Sequence, residues 1–256
     1  MSTATPMREQ PRITSPAEWL AARKDLLKKE KEFTRLRDDI SRLRRELPWE
    51  KVEKPYVFEG PQGRETLADL FAGRGQLIVY HFMFGPGWKE GCPSCSFIAD
   101  GFDGIAIHLA HRDATLLAVS RATLPEIEAF KKRMGWQFKW VSSNATGFNF
   151  DYQVSLEPGG DPNADVYYNY TMQKFSKTER PGLSVFAKNA AGEVFHTYST
   201  YGRGLDILLG AYNYLDMAPK GRDEDGLPWP MAWVRHHDRY ADAKVVSSIQ
   251  PAPPAK

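Results

Sequence analysis

The stretch from Gln76 to Cys95 constrains the fold more than any other part of the chain. Gln76 to Phe84 (QLIVYHFMF) is a nearly unbroken apolar run rich in β-branched and aromatic residues. Such a run suits a strand covered on both faces, in the middle of a parallel or mixed sheet. Gly85-Pro86-Gly87 then turns the chain, and Cys92-Pro93-Ser94-Cys95 opens a segment with apolar residues at helical spacing through Phe97, Phe102, Ile105 and Leu109. A C-x-x-C placed where a helix begins sets its first thiol against free backbone N–H groups and the positive end of the helix dipole, which favour a thiolate. The second thiol lies one turn on, on the same face.

The rest of the chain supplies the partners of that strand. Thr115 to Val119 reads as a second buried strand and Leu124 to Met134 as a helix, with Pro125 at its start and Gly135 after its end. Lys139 to Ser142 is a third strand. Leu183 to Ala187 and Val194 to Tyr198, joined by Asn189-Ala190-Ala191-Gly192, form a hairpin, and Gly204 to Tyr214 reads as a closing helix. The order β-α-β-α-β, insert, β-β-α predicts an α/β domain with a mixed sheet flanked by helices, over residues 49–218. The insert, about 143–180, carries the aromatic cluster Tyr167-Tyr168-Asn169-Tyr170. Its aromatic content argues for a covered small-molecule pocket. Residues 219–256 read as a C-terminal extension with a low-complexity, flexible tail from Ala241, and His236-His237 reads as surface.

Residues 1–48 form an N-terminal arm. Ser15-Pro16-Ala17-Glu18 is a capping box. Trp19, Leu26, Phe33, Ile40 and Leu47 then recur every seven residues, with Ala22, Leu36 and Leu43 in a second seam broken by Lys29, until Pro48. This predicts a long amphipathic helix, packed on its own domain or paired with a second subunit as a homodimer.

Charge is close to balanced, with 34 basic and 32 acidic residues, and acids interleave with bases along the arm, so nucleic-acid binding is not expected. Met1 to Arg12 has no apolar signal core, and no run approaches the ~18 apolar residues of a membrane helix. A cytoplasmic protein is expected, with no membrane partner. The only two cysteines share one C-x-x-C. In a reducing compartment they read as a working redox pair rather than a staple. The alternatives are a zinc or copper site with Cys92, Cys95 and His81 as ligands, or a non-catalytic dimeric binding protein.

Tyr80-His81-Phe82-Met83-Phe84-Gly85-Pro86, Trp88, Glu90-Gly91-Cys92-Pro93-Ser94-Cys95-Ser96, Ala118-Val119-Ser120-Arg121-Ala122 and Pro181-Gly182-Leu183-Ser184-Val185-Phe186 are long and specific blocks. With His196-Thr197-Tyr198-Ser199-Thr200-Tyr201 and Met231-Ala232-Trp233-Val234-Arg235, they make the chain resemble, over nearly its full length, the bacterial family DUF899. That family is grouped with thioredoxin-like and peroxiredoxin-like proteins. The C-x-x-C reads as that of a thiol–disulfide oxidoreductase or a thiol peroxidase acting on a small-molecule or protein substrate, with Cys92 as nucleophile, Cys95 as resolving thiol, a cellular thiol as reductant and no bound cofactor. The resemblance implies a thioredoxin-like fold and thiol chemistry. It implies a cis peptide bond before Pro181, facing the cysteines. Gly91 stands where thioredoxin has tryptophan, and Lys89 where peroxiredoxins have threonine; Trp88 stands four before Cys92. His81 reads as a core histidine or, at the strand's active-site end, as a base. Arg121 is placed to steady a thiolate or anionic substrate, and His196 and Tyr198 to line the same pocket.

Overall fold

A computed structural model describes residues 11–156, 165–174 and 177–240 of the chain. The expected tail from Ala241 lies outside the described residues. The chain divides into two compact units, Met1–Pro48 and Trp49–Lys256.

In the first unit, the Ser15 hydroxyl accepts from the Glu18 amide at 3.4 Å while Glu18 Oε2 accepts from the Ser15 amide at 3.1 Å. This reciprocal cap starts helix α1 (Pro16–Glu46), and Pro48 follows its end. None of the residues of α1 is buried.

The second unit begins with three short strands, β1 (Glu50–Lys51), β2 (Val57–Gly60) and β3 (Gly63–Thr66). Then come β4 (Gln76–His81), α2 (Pro93–Ala99), α3 (Phe102–Ala110), β5 (Ala114–Ser120), α4 (Leu124–Met134) and β6 (Trp140–Ser142). The insert holds α5 (Phe148–Asp151) and a hairpin of β7 (Asp165–Tyr168) and β8 (Thr171–Lys174). The chain finishes with β9 (Gly182–Lys188), β10 (Val194–Tyr201) and α6 (Gly210–Leu215). Eight strands make one sheet in the order β1-β10-β9-β4-β5-β6-β2-β3. β4, β5 and β6 run parallel, and β9 joins the other edge of β4 antiparallel. A central β4 flanked by a parallel neighbour on one side and a terminal antiparallel hairpin on the other is the thioredoxin-like arrangement.

The apolar runs are continuous because β4 and β5 are covered on both faces. Alternation splits them. Tyr80, Phe82, Leu116 and Ala118 join one core with α2, α3 and α4. Leu77, Val79, Leu117 and Val119 join the other, with Phe58, Phe148 and Phe186. α4 keeps its expected bounds, with Thr123 and Glu126 as a capping box and Gly135 in the left-handed conformation at φ +70°.

Two expected helices are interrupted. The segment after Cys92 breaks at Asp100–Gly101 into α2 and α3, where glycine gives up the helix at little cost. The closing helix is a 3-10 stretch, Gly202–Leu208, and then the short α6.

Trp140 is fully buried and touches Phe82 at a centroid distance of 4.4 Å, so the layer behind the cysteine loop depends on it. Trp140→Ala is expected to cost about 3–5 kcal/mol, read as a lower midpoint in chemical denaturation.

Candidate active site

The loop that carries the first cysteine is tied down along its length. The Phe82 amide donates to the Val119 carbonyl at 2.9 Å, extending the β4–β5 ladder beyond His81, and the Ala122 amide donates to the Phe84 carbonyl at 2.7 Å. Gly87 turns at φ +75°, and its amide donates to Glu126 Oε1 at 3.0 Å, the same carboxylate that caps α4. Gly91 lies flat against two rings: a Cβ there would stand 2.6 Å from Phe82 and 2.8 Å from Phe130. The indole found before the cysteines in thioredoxin has no room here. The chain then returns, and the Cys92 amide donates to the Met83 carbonyl at 3.0 Å.

Cys92 is the N-cap of α2, with Pro93 in the first turn, where its missing N–H costs no hydrogen bond. Both cysteines are free thiols; Cys92 is half-buried and Cys95 buried. The Cys95 thiol hydrogen-bonds the Cys92 sulfur. That contact and the amides of Cys95 and Ser94 outweigh burial and bring the Cys92 thiol down to about 6, with the Lys177 ammonium adding to the effect. Cys95 is pushed the other way, by burial first and then by Cys92 beside it. At neutral pH the pair is therefore one thiolate and one thiol. The Tyr80 hydroxyl is fully buried beside Cys95. Its burial and the neighbouring cysteine charge hold it protonated.

A cavity of about 340 Å³ opens over the two sulfurs. Its walls are mostly apolar: Tyr80, Met83, Ile98, Pro181, Leu205, Leu209 and Met231. Of the charged groups at its rim, Asp206, Arg222 and Glu224 are engaged, and Arg203 lines it beside them. Arg222 makes a two-point pair with Asp206 at 2.9 Å and reaches Asp216 at 2.7 Å. Glu224 accepts from Trp233 Nε1 at 2.7 Å, the Met231 amide at 3.0 Å and the Tyr212 hydroxyl. The cavity thus presents thiol and hydrocarbon, with charged groups, Arg203 among them, kept to its edge.

Of the residues expected at the site, Cys92, Cys95 and Pro181 meet at this cavity. The peptide bond entering Pro181 is trans, not cis. The Leu156 amide donates to the Thr178 carbonyl and the Arg180 amide to the Val154 carbonyl, both at 2.8 Å. These contacts carry the chain extended into β9, and trans is the form most X–Pro bonds prefer. The insert reaches the site through Tyr168, whose hydroxyl donates to the Pro181 carbonyl at 2.6 Å and accepts from the Gly202 amide at 2.9 Å.

His81 goes elsewhere, for a simple reason. Neighbouring strand residues face opposite ways, so Tyr80 takes the cysteine side and His81 the other. There His81 packs against Phe148 and Tyr152. It bonds the Ser184 hydroxyl at 2.8 Å, and burial brings it down to about 3, a neutral ring. The set Cys92, Cys95, His81 is not assembled, and among the described residues no cluster of three His, Cys, Asp or Glu could hold a metal ion.

His196 also lies off the site. It joins His81 through Ser184 and Ser199, with contacts of 2.8 Å between the hydroxyls and 2.7 Å from Ser199 to His196. It lines a separate cavity with Glu50, Tyr152 and Tyr201. Tyr198 follows the β-bulge on β10 and does not line the cysteine cavity. Trp88 folds back over Gly85 and packs on the core. Arg121 faces the buried Glu179 at 3.1 Å and lies 4.4 Å over the Phe150 ring. A carboxylate, not a thiolate, takes its charge. His236, expected at the surface, is buried; its Nε2 donates to the Gly91 carbonyl at 2.8 Å while Nδ1 accepts from Arg133 at 3.2 Å. The C-terminal segment therefore braces the loop just before Cys92.

Tyr80 was legible from strand alternation, since it is the neighbour of His81 on the helix side. Lys177, Arg222 and Glu224 were not, because no local pattern ties them to a C-x-x-C more than 80 residues away.

Alkylation of Cys92 is expected to rise with pH through a midpoint of about 6, since the thiolate populates above that value. Cys95→Ala removes the strongest stabilising contact and moves the midpoint up. A wild-type midpoint near the ordinary ~8.5 would contradict this electrostatic account.

Solved structures similar to this chain include Xylella fastidiosa PrxQ, in a point-mutant form, at 13% identity and a TM-score of 0.41, covering 65% of this chain and 95% of that one. Another is the Xanthomonas campestris bacterioferritin comigratory protein, at 15% identity and TM-score 0.44, covering 64% and 96%. A third, the putative thiol:disulfide interchange protein DsbE from Chlorobium tepidum, shares 12% identity at TM-score 0.38, covering 64% and 97%. No curated protein matches the sequence. The match that spans the molecule is to the family model described as bacterial protein of unknown function, over residues 8–240, and the chain belongs to that family, DUF899.

Proposed function

We propose that this protein is a thiol–disulfide oxidoreductase whose substrate is a small, largely apolar disulfide taken up over Cys92. The observation that carries the reading is the asymmetry of the pair: a half-buried Cys92 held low and a buried Cys95 held high, beneath one apolar cavity. An attacking thiolate and a protonated resolving thiol are the two states that exchange requires.

In the first step the Cys92 thiolate attacks one sulfur of the substrate. A mixed disulfide forms and one half of the substrate leaves as a thiolate that takes a proton from water. Cys95 then gives up its proton and attacks the Cys92 sulfur, which releases the second half as a thiol. The substrate has gained two electrons and the protein holds a Cys92–Cys95 disulfide. A cellular thiol returns it to the dithiol form. The reading fits a cytoplasmic setting, where such reductants are abundant. Lys89 is exposed, so the flank that carries a threonine in peroxiredoxins offers no hydroxyl beside Cys92, which favours a disulfide over a peroxide as the oxidant.

The test is turnover of small aryl and alkyl disulfides beside hydroperoxides. Wild type is expected to reduce the disulfides, Cys92→Ser to lose at least a hundredfold, and Cys95→Ser to stall as a mixed disulfide seen as added mass. Peroxide turnover without disulfide turnover, or full activity in Cys92→Ser, would sink the reading.

A further inference from the structure

The apolar seam of α1 is open. Trp19, Leu26, Phe33, Leu36, Ile40 and Leu43 stand 39% to 66% exposed. Their sevenfold repeat is that of a coiled-coil seam, which Leu20 and Leu27 widen only over its first two heptads. With Trp19 and its repeats at the first core position, the residues flanking the seam divide by sign. On one flank stand Glu18, Asp25, Glu32, Asp39 and Glu46, all acidic; on the other stand Arg23, Arg37 and Arg44, with Glu30 the exception.

That division selects both the partner and the orientation. In a parallel pair each residue of the acidic flank faces the residue five further along the partner. Glu18 then meets the partner's Arg23, Glu32 the partner's Arg37, and Asp39 the partner's Arg44; only Asp25 meets a like charge. In an antiparallel pair the acidic flanks would face each other along their whole length. Lys29, the one charge within the seam, reaches Glu32 of its own helix at 2.9 Å, which offsets the repulsion between two copies. A polar group at one such position is also what fixes register. We infer that α1 is one strand of a parallel, in-register two-stranded coiled coil whose partner is a second copy of this chain. At 1.5 Å per residue the 31-residue helix is about 46 Å long, and its seam from Trp19 to Leu43 about 36 Å.

Sedimentation of the full-length protein is expected to give twice the 29.0 kDa chain mass. Arg37→Glu with Arg44→Glu should weaken the dimer at least tenfold. Adding Glu32→Lys and Asp39→Lys to that chain should restore it, because the pairs are reversed rather than removed. In a Cys92→Ser, Cys95→Ser background, Leu43→Cys should cross-link to its own copy in a glutathione buffer, which an antiparallel pair forbids. A monomer at tens of micromolar, a dimer indifferent to the charge reversal, a dimer without the self cross-link, or an arm occupied only by another protein would each overturn the inference.

Discussion

Strand β4 is hydrogen-bonded along both edges, to β5 and to β9, and its side chains are buried on both faces. A strand held in this way has no freedom of register, because a slip of one residue would exchange its two cores. Its C-terminal end therefore delivers the following loop to one place, and the ladder is extended by Phe82 before the chain turns. The Cys92 amide bonding back to Met83 closes that loop into a fixed entry for α2. The position of the first sulfur is in this sense a property of the sheet, transmitted through ten residues of backbone.

The same alternation decides which chemistry the site can have. Tyr80 and His81 are adjacent, yet one borders Cys95 and the other ends a hydrogen-bonded chain through Ser184 and Ser199 to His196. The thiol pair draws its polarity mainly from what is local. Here that means the second thiol, the amides of the first turn of α2, and Lys177 from the far side of the insert. Cys92 gains from each of them, and Cys95, deeper and drier, loses by the same proximity. Charged groups gather at the rim and leave the cavity wall mostly to apolar contact.

Much of this was readable in the residues. The apolar run at Gln76, the C-x-x-C that starts a helix, the bounds of α4 and the terminal hairpin each carry a local signal: periodicity, a cap, a turn. The fold followed because those signals agree with one another. What escaped reading has a common cause. The trans bond at Pro181 reflects contacts from Val154 and Leu156, the pairing of Arg121 reflects Glu179, and the burial of His236 reflects a loop 145 residues earlier. Each is a long-range contact that no window of sequence contains. His81 is the core histidine of its first reading; its alternative role as a base or ligand fails for a local reason, since period-two alternation along the strand already separated it from Tyr80.

The central claim is that Cys92 and Cys95 exchange between dithiol and disulfide as one unit. It is tested most directly by equilibrating the intact protein with glutathione buffers of stepped redox poise, quenching with acid and weighing the chain. The account predicts one reversible transition, a loss of two hydrogens within a single chain, mapped to Cys92–Cys95 and undone by returning to reducing buffer. A chain that remains a dithiol across the range, or that forms only intermolecular or irreversible adducts, would contradict it.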